Sequence, residues 1–249
     1  MKRYLFAACC LLVSSPTMAK DITVEVIVPD YEISFSTLPD SIDVLGLRPG
    51  MDEETATRIL TDAGYRFKRK DDGKYCTYTD TEFDSFNTCV DKDDGTRYFE
   101  SGNPLEDVFL AFAPRQAGGK LLQVTRYIDY GKAKGSADIP KPEDLAKALK
   151  EKYPPPTGGQ LDLTKIQCWA YKDGQPVTKY GWNATYCANS KDTPVDIRLM
   201  FSNSFRMETV LTDFSAKAQA DAIFFGAVKS ALDKAAAESV GTSAATPKL

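Results

Sequence analysis

LGLRPGMDEETATRILTDAGY, residues 45–65, is the stretch on which the fold turns. Its first seven residues, Leu45 to Met51, are rich in turn formers and lead into a helix. Asp52 suits the N-cap, because its short carboxylate can accept from the free amides of the first turn. Glu53 and Glu54 follow, placing negative charge at the positive end of the helix dipole. Ala56, Ile59, Leu60 and Ala63 recur at helical spacing and make one apolar face. Gly64 ends the helix, and Tyr65 is positioned to fold back over its last turn.

Downstream, the periodicity changes from helical to alternating. Asp72-Gly73 and Asp94-Gly95 are hairpin turn signals flanking Cys76 and Cys89. Val108 to Ala113 and Leu121 to Tyr130 then read as two strands joined across Ala117-Gly118-Gly119. Residues 132–141 are linker-like, and a second helix is predicted from about Glu143 to Tyr153, stopped by Pro154-Pro155-Pro156. The order then repeats. Lys165 to Tyr171 and Lys179 to Cys187 form a second cysteine-bearing hairpin around Asp173-Gly174, followed by alternating strands at Val195 to Phe201 and Arg206 to Phe214. The expectation is an α+β fold of two tandem units, each a helix on an antiparallel sheet, over residues 45–131 and 142–240. The second unit ends in a long helix from about Ser215 to Val240. Its stripe Ile223, Phe224, Ala227, Val228, Ala231, Leu232 and Ala235 is read as packing on a sheet. Residues 20–44 precede the first unit with an extended pattern from Lys20 to Phe35, and 241–249 read as a frayed tail.

The N-terminus has the zones of a secretory signal: Lys2 and Arg3, an apolar run from Tyr4 to Val13, and small residues around Thr17-Met18-Ala19. The run of about ten residues is too short to span a bilayer, which needs roughly twenty. Cleavage after Ala19 into a periplasmic or secreted protein is therefore expected. Without Lys2 and Arg3, 29 basic residues face 35 acidic ones, a net charge of −6. That balance argues against nucleic acid and against an anionic membrane surface. Cys76, Cys89, Cys168 and Cys187 then remain. In an oxidising compartment they imply two disulfides with three possible connectivities. Bracketing of the two hairpins favours Cys76–Cys89 and Cys168–Cys187, each worth about 3 kcal/mol by loop closure.

The Gly50-Met51 step, the capped short helix and the cysteine hairpin together resemble the secreted β-lactamase inhibitor proteins and the related SmpA/OmlA (BamE-type) domains. The match is to Leu45 through Cys89; the second copy opens instead with Pro140-Lys141-Pro142. The resemblance implies tandem helix-on-sheet units with a disulfide in each. It also implies a binding module that inhibits an enzyme or helps assemble outer-membrane proteins.

Chemistry is constrained by what is missing. The chain has no histidine, so no histidine-based triad, Cys-His pair or histidine-ligated zinc is available. No glycine-rich phosphate loop is present. No catalytic, cofactor-binding or metal-binding residue is assigned, and the protein is read as a non-enzyme. Asp71 to Asp107 holds eleven carboxylates, but setting Gly95 at the sixth position of a calcium loop puts Val90 first and Ser101 twelfth, so that motif fails. Asp80, Glu82 and Asp84 would share one strand face, the place that a third reading, a carboxylate-dependent hydrolase, would use. The second cysteine hairpin is the candidate binding face. Trp169 and Tyr171 share one side of a strand, opposite Cys168, and Tyr180 and Trp182 lie on the partner strand. Large rigid aromatics on an open sheet face are typical hot spots for another protein. The alternative use of the same rings is stacking on a small molecule or carbohydrate.

Overall fold

The computed structural model describes residues 20–23, 30–71, 74–80, 85–91, 95–133, 139–159, 166–177, 195–203 and 206–243. The expected signal peptide, Tyr180, Trp182 and Cys187, the centre of the linker and the last residues of the tail lie outside them. The fold is α+β. In chain order its elements are β1 (Lys20–Thr23), α1 (Glu53–Asp62), β2 (Arg66–Asp71), β3 (Lys74–Asp80), β4 (Ser85–Asp91), β5 (Thr96–Glu100), β6 (Glu106–Phe112), β7 (Leu121–Ile128), α2 (Pro142–Lys152), β8 (Gly158–Gly159), β9 (Ile166–Lys172), β10 (Gln175–Pro176), β11 (Ile197–Asn203), β12 (Met207–Asp213) and α3 (Phe214–Ser243).

The main sheet is antiparallel, with strand order β10-β9-β11-β12-β7-β6-β5-β2, and β8 adds to β9. The strands preceding α2 and those following it occupy separate halves, which meet where β7 pairs with β12. A smaller sheet of order β1-β4-β3 stands apart, with β1 parallel to β4 and Cys76 directly opposite Cys89 in the β3–β4 register.

The sequence around α1 forms as its residue types dictate. The Asp52 side chain accepts from the Thr55 amide at 2.7 Å, and the helix closes at Gly64, whose φ of +88° is the left-handed conformation a Cβ would strain. The Gly50-Met51 step ties the start of α1 to the sheet. The Gly50 amide donates to the Leu121 carbonyl at 2.8 Å, and the Leu121 amide donates to Met51 at 2.7 Å. Gly50 has φ +91°, and a Cβ there would lie 3.4 Å from the Phe35 ring.

Alternation along the strands sorts their residues onto two faces. On the inner face Val108, Leu110, Leu121, Val124, Leu199, Leu211 and Trp169 meet Ala56 and Leu60 of α1 and Leu145, Leu149 and Tyr153 of the α2 end. A bulge opposite the Ala111–Phe112 step lets both Leu121 and Val124 face this core. The first turns of α3 bury Ala216 and Ala220 against Ala113, Ala117 and Leu122. Farther along, Phe224, Val228 and Leu232 are buried, while Ile223 is exposed, so the apolar stripe of α3 is narrower than its sequence suggests.

Of the extended pattern expected from Lys20 to Phe35, β1 is a strand, residues 24–29 lie outside the described residues, and residues 30–35 are not a strand. Residues 30–39 form no strand ladder. Instead Tyr31, Ile33 and Phe35 pack beside α3, with the Tyr31 hydroxyl donating to the Ala220 carbonyl and the Ser36 amide and hydroxyl both donating to Asp213. Alternating apolar residues need one covered face; here a helix supplies it without sheet pairing. Among the described residues no helix is long and apolar enough to cross a membrane.

Candidate functional site

The aromatic face expected at the second cysteine hairpin does not form at Trp169 and Tyr171. Both are core residues, 1% and 4% exposed. The physical reason is the position of β9: it lies inside the sheet, and five consecutive residues, Gln167 to Tyr171, are buried, so both of its faces are covered. The end of α2 covers the tryptophan, with the Tyr153 ring 5.0 Å from it and the indole N–H donating to the Pro154 carbonyl at 2.6 Å. Cys168, on the opposite face, is also fully buried and is disulfide-bonded.

Partly exposed aromatics instead collect on the outer face of β5, β6 and β7. Tyr98, Phe109 and Tyr127 alternate with the core residues of their strands and so point away from α1 and α2. Tyr98 and Phe109 are direct cross-strand partners, with centroids 4.7 Å apart at 80°. Phe109 and Tyr127 are diagonal neighbours, 5.1 Å apart at 82°. A guanidinium closes each end of the row: Arg69 lies 4.3 Å from the Tyr98 centroid and Arg206 lies 4.2 Å from that of Tyr127. Both arginines are exposed. Val210, Met200 and Ala111 extend the face with partly exposed apolar surface. Burial, followed by the nearby Glu208 charge, pushes the Tyr127 hydroxyl above its ordinary value, so this ring keeps a neutral phenol.

Sequence reasoning passed over these residues although a signal was present. In Thr96-Arg97-Tyr98-Phe99-Glu100 and Glu106-Asp107-Val108-Phe109-Leu110, an aromatic falls at the parity where a half-solvated strand places polar residues. The two tryptophans drew attention instead, and tryptophan is equally at home in a core.

On the inner face a polar group crosses the core. Glu106, 8% exposed, accepts from the Tyr65 hydroxyl and from Arg126 Nε, the latter at 2.5 Å. Burial first, then the Glu106 bond, drives the Tyr65 hydroxyl well above the usual tyrosine range, so it is a fixed donor. Burial works against the charge of Arg126, yet Glu106 outweighs it and the guanidinium keeps its proton more firmly than usual. In this donor–acceptor set Tyr65 and Arg126 both hold their protons through neutrality. Nearby, Arg97 grips Glu53 through Nε at 2.5 Å and Nη2 at 3.0 Å. That bond holds the Glu53 carboxyl below its ordinary value against the opposing effect of burial.

Beside Arg126 a cavity of about 130 Å³ opens between α2, the sheet and the turn at Val44–Leu47, and a second of about 350 Å³ lies between α2, the Pro154–Pro156 run and Trp169. Among the described residues no group of three or more histidine, cysteine, aspartate or glutamate side chains is arranged to hold a metal ion. Asp80 ends β3, and Glu82 and Asp84 lie outside the described residues. No family model, curated protein or solved structure matches the chain.

Proposed function

We propose that this chain is an exported, non-catalytic binding module that engages another protein through the outer face of its main sheet. The observation that carries the reading is the row Arg69–Tyr98–Phe109–Tyr127–Arg206, a continuous run of partly exposed rings with a guanidinium over each end. Tyrosine and arginine are the side chains that dominate binding energy at protein interfaces. The row crosses β2, β5, β6, β7 and the start of β12, so its two cations stand about 19 Å apart at the usual strand spacing of about 4.8 Å. A partner surface that fits has an apolar centre and a carboxylate near each edge.

Stacking on a sugar is the weaker reading. It needs open ring faces, whereas these rings meet edge to face at 80° and 82° and the terminal pair each lie under a guanidinium.

Two further parts of the reading rest on the architecture. The division into tandem helix-on-sheet units is supported by the separation of the strands before and after α2 into two halves of one sheet. That arrangement also suits the inhibitor-like and BamE-like resemblance of the Gly50-Met51 segment. The Cys76–Cys89 disulfide is supported by register. Directly opposed antiparallel residues have Cα atoms about 4.5–5.5 Å apart, inside the range of about 4.4–6.8 Å that a disulfide spans. Cys168–Cys187 is the corresponding pair in the second unit.

The test is capture from envelope extract by the mature, oxidised protein. Wild type is compared with a Phe109→Ser/Tyr127→Ala double variant and an Arg69→Glu/Arg206→Glu double variant, each shown to melt like wild type. A partner held by wild type, lost by the first variant and weakened by the second supports the reading. Equal capture by all three refutes the outer face as the site.

A further inference from the structure

The cavity beside Arg126 is more than a packing gap. Its walls are apolar, formed by Val44, Leu45, Leu149 and Phe201 among others, but its lining also includes Arg126 and Thr209. Arg126 stands on the inner face of the sheet, opposite Val108 and Thr209 in the β-ladders, yet its side chain is 29% exposed. Nε is committed to Glu106, the Tyr65 hydroxyl also lies against the guanidinium, and Arg126 forms part of the cavity lining.

The roof is strained. Leu45 and Gly46 turn the chain between Val44 and Leu47 with φ of +58° and +78°, a pair of left-handed residues. Such turns ordinarily take asparagine or glycine at the first position, and a branched side chain there costs on the order of 1–2 kcal/mol. What the leucine gains is a place in the cavity wall. The roof is also pinned to the end of α2. The Asp43 carboxylate accepts from Lys152 Nζ at 3.1 Å and from the Gly46 amide at 2.7 Å, while its carbonyl accepts from the Tyr153 hydroxyl at 2.8 Å. Strain held in place by surrounding bonds is a common mark of a binding site.

Charge identifies the class of ligand. Among the described residues, both cations that line the cavity already face a carboxylate: Arg126 faces Glu106 and Lys152 faces Asp43. Among them no surplus positive charge is left to repay the desolvation of an anion. The volume is close to the roughly 150 Å³ at which an apolar protein cavity takes up benzene. We infer that this cavity binds a small uncharged molecule, a six-membered ring or a chain of similar size, whose single carbonyl or hydroxyl oxygen accepts from Arg126 or Thr209. The site is on the opposite face of the sheet from the aromatic row and stands independently of it.

The experiment is an amide and arginine-side-chain NMR titration of the whole mature protein with cyclohexanone, toluene and hexanoate. Cyclohexanone is expected to give saturable shifts at Val44, Leu45, Leu149 and Arg126 Nε, with Kd on the order of 1 mM for so few atoms. Toluene lacks the acceptor and hexanoate carries the charge, so each is expected to bind at least about tenfold more weakly. Ala148 is exposed on α2 at the cavity mouth, and Ala148→Phe closes the space without disturbing the core. That variant is expected to lose the cyclohexanone shifts. Absent shifts in wild type, shifts retained in Ala148→Phe, or hexanoate binding as tightly as cyclohexanone would each overturn the inference.

Discussion

Replacing Trp169 by alanine separates a core tryptophan from a contact tryptophan. The side chain is 1% exposed, packs on the Tyr153 ring and donates to the Pro154 carbonyl at 2.6 Å. Removing a buried tryptophan to alanine costs about 3–5 kcal/mol, and the cost rises with the void that remains. The void here would join the existing cavity of about 350 Å³ beside Trp169, whose wall includes a stiff run of three prolines. Collapse is therefore restricted, and the upper half of the range, about 4–5 kcal/mol, is expected. Pro154 is only partly buried, so water can replace the lost indole donor and adds little to the total. Trp169→Phe retains a ring against Tyr153 and is expected to cost about 1–2 kcal/mol. Urea unfolding of the oxidised protein reads both values, as a fall in midpoint at unchanged slope. For a chain of this size the alanine variant should also melt about 8–20 °C lower. A contact residue on an open face would cost no more than about 0.5 kcal/mol. A measured loss for Trp169→Ala below about 1 kcal/mol would refute the burial argument and return the tryptophan to the surface.

Three other outcomes follow from the geometry. Glu53 is held below its ordinary value by Arg97, so its stabilising contribution is present above the ordinary carboxylate range and fades as pH falls through the lowered value. Wild type should accordingly lose more stability on acidification than Glu53→Gln, and urea midpoints at neutral pH and at about pH 3 measure the difference. Tyr65 and Tyr153 are both raised, chiefly by burial, so their contributions hold below the ordinary tyrosine value and diminish as pH rises past it. In a spectrophotometric titration these two should ionise only as the protein unfolds, and Tyr65→Phe/Tyr153→Phe should remove that late component. Peptide mapping without reduction should yield one fragment joining Cys76 to Cys89 and another joining Cys168 to Cys187; any other connectivity contradicts the hairpin reading.

Much of the local structure was legible because it depends on neighbours in the chain. Asp52, Glu53, Glu54 and Gly64 mark both ends of α1 through capping and dipole chemistry that needs no tertiary partner. The Pro154–Pro156 run stops α2 for a similar reason, since proline cannot donate within a helix, while the helix starts at Pro142, one residue before the expected Glu143. The strands read at Val195 to Phe201 and at Val108 to Ala113 correspond to β11 and β6, and the alternating Val195, Ile197, Leu199 and Phe201 are all buried. The α+β class follows from those patterns together.

Which surface each face would meet was a different matter. Strand parity puts Trp169 and Cys168 on opposite sides of β9, but it cannot say whether one side or both are covered. That depended on β9 joining β11 on one flank and β8 and β10 on the other, and on α2 lying over the tryptophan. The same parity assigns Tyr98, Phe109 and Tyr127 to one side of their strands. Only the sheet order β5-β6-β7 brings the three into one row and sets Arg69 and Arg206 at its ends. Periodicity is a local property of the chain and specifies the direction of a side chain. Exposure depends on long-range packing, and contacts between residues as distant as Tyr65 and Glu106, or Asp43 and Tyr153, were decided only when the tertiary structure closed.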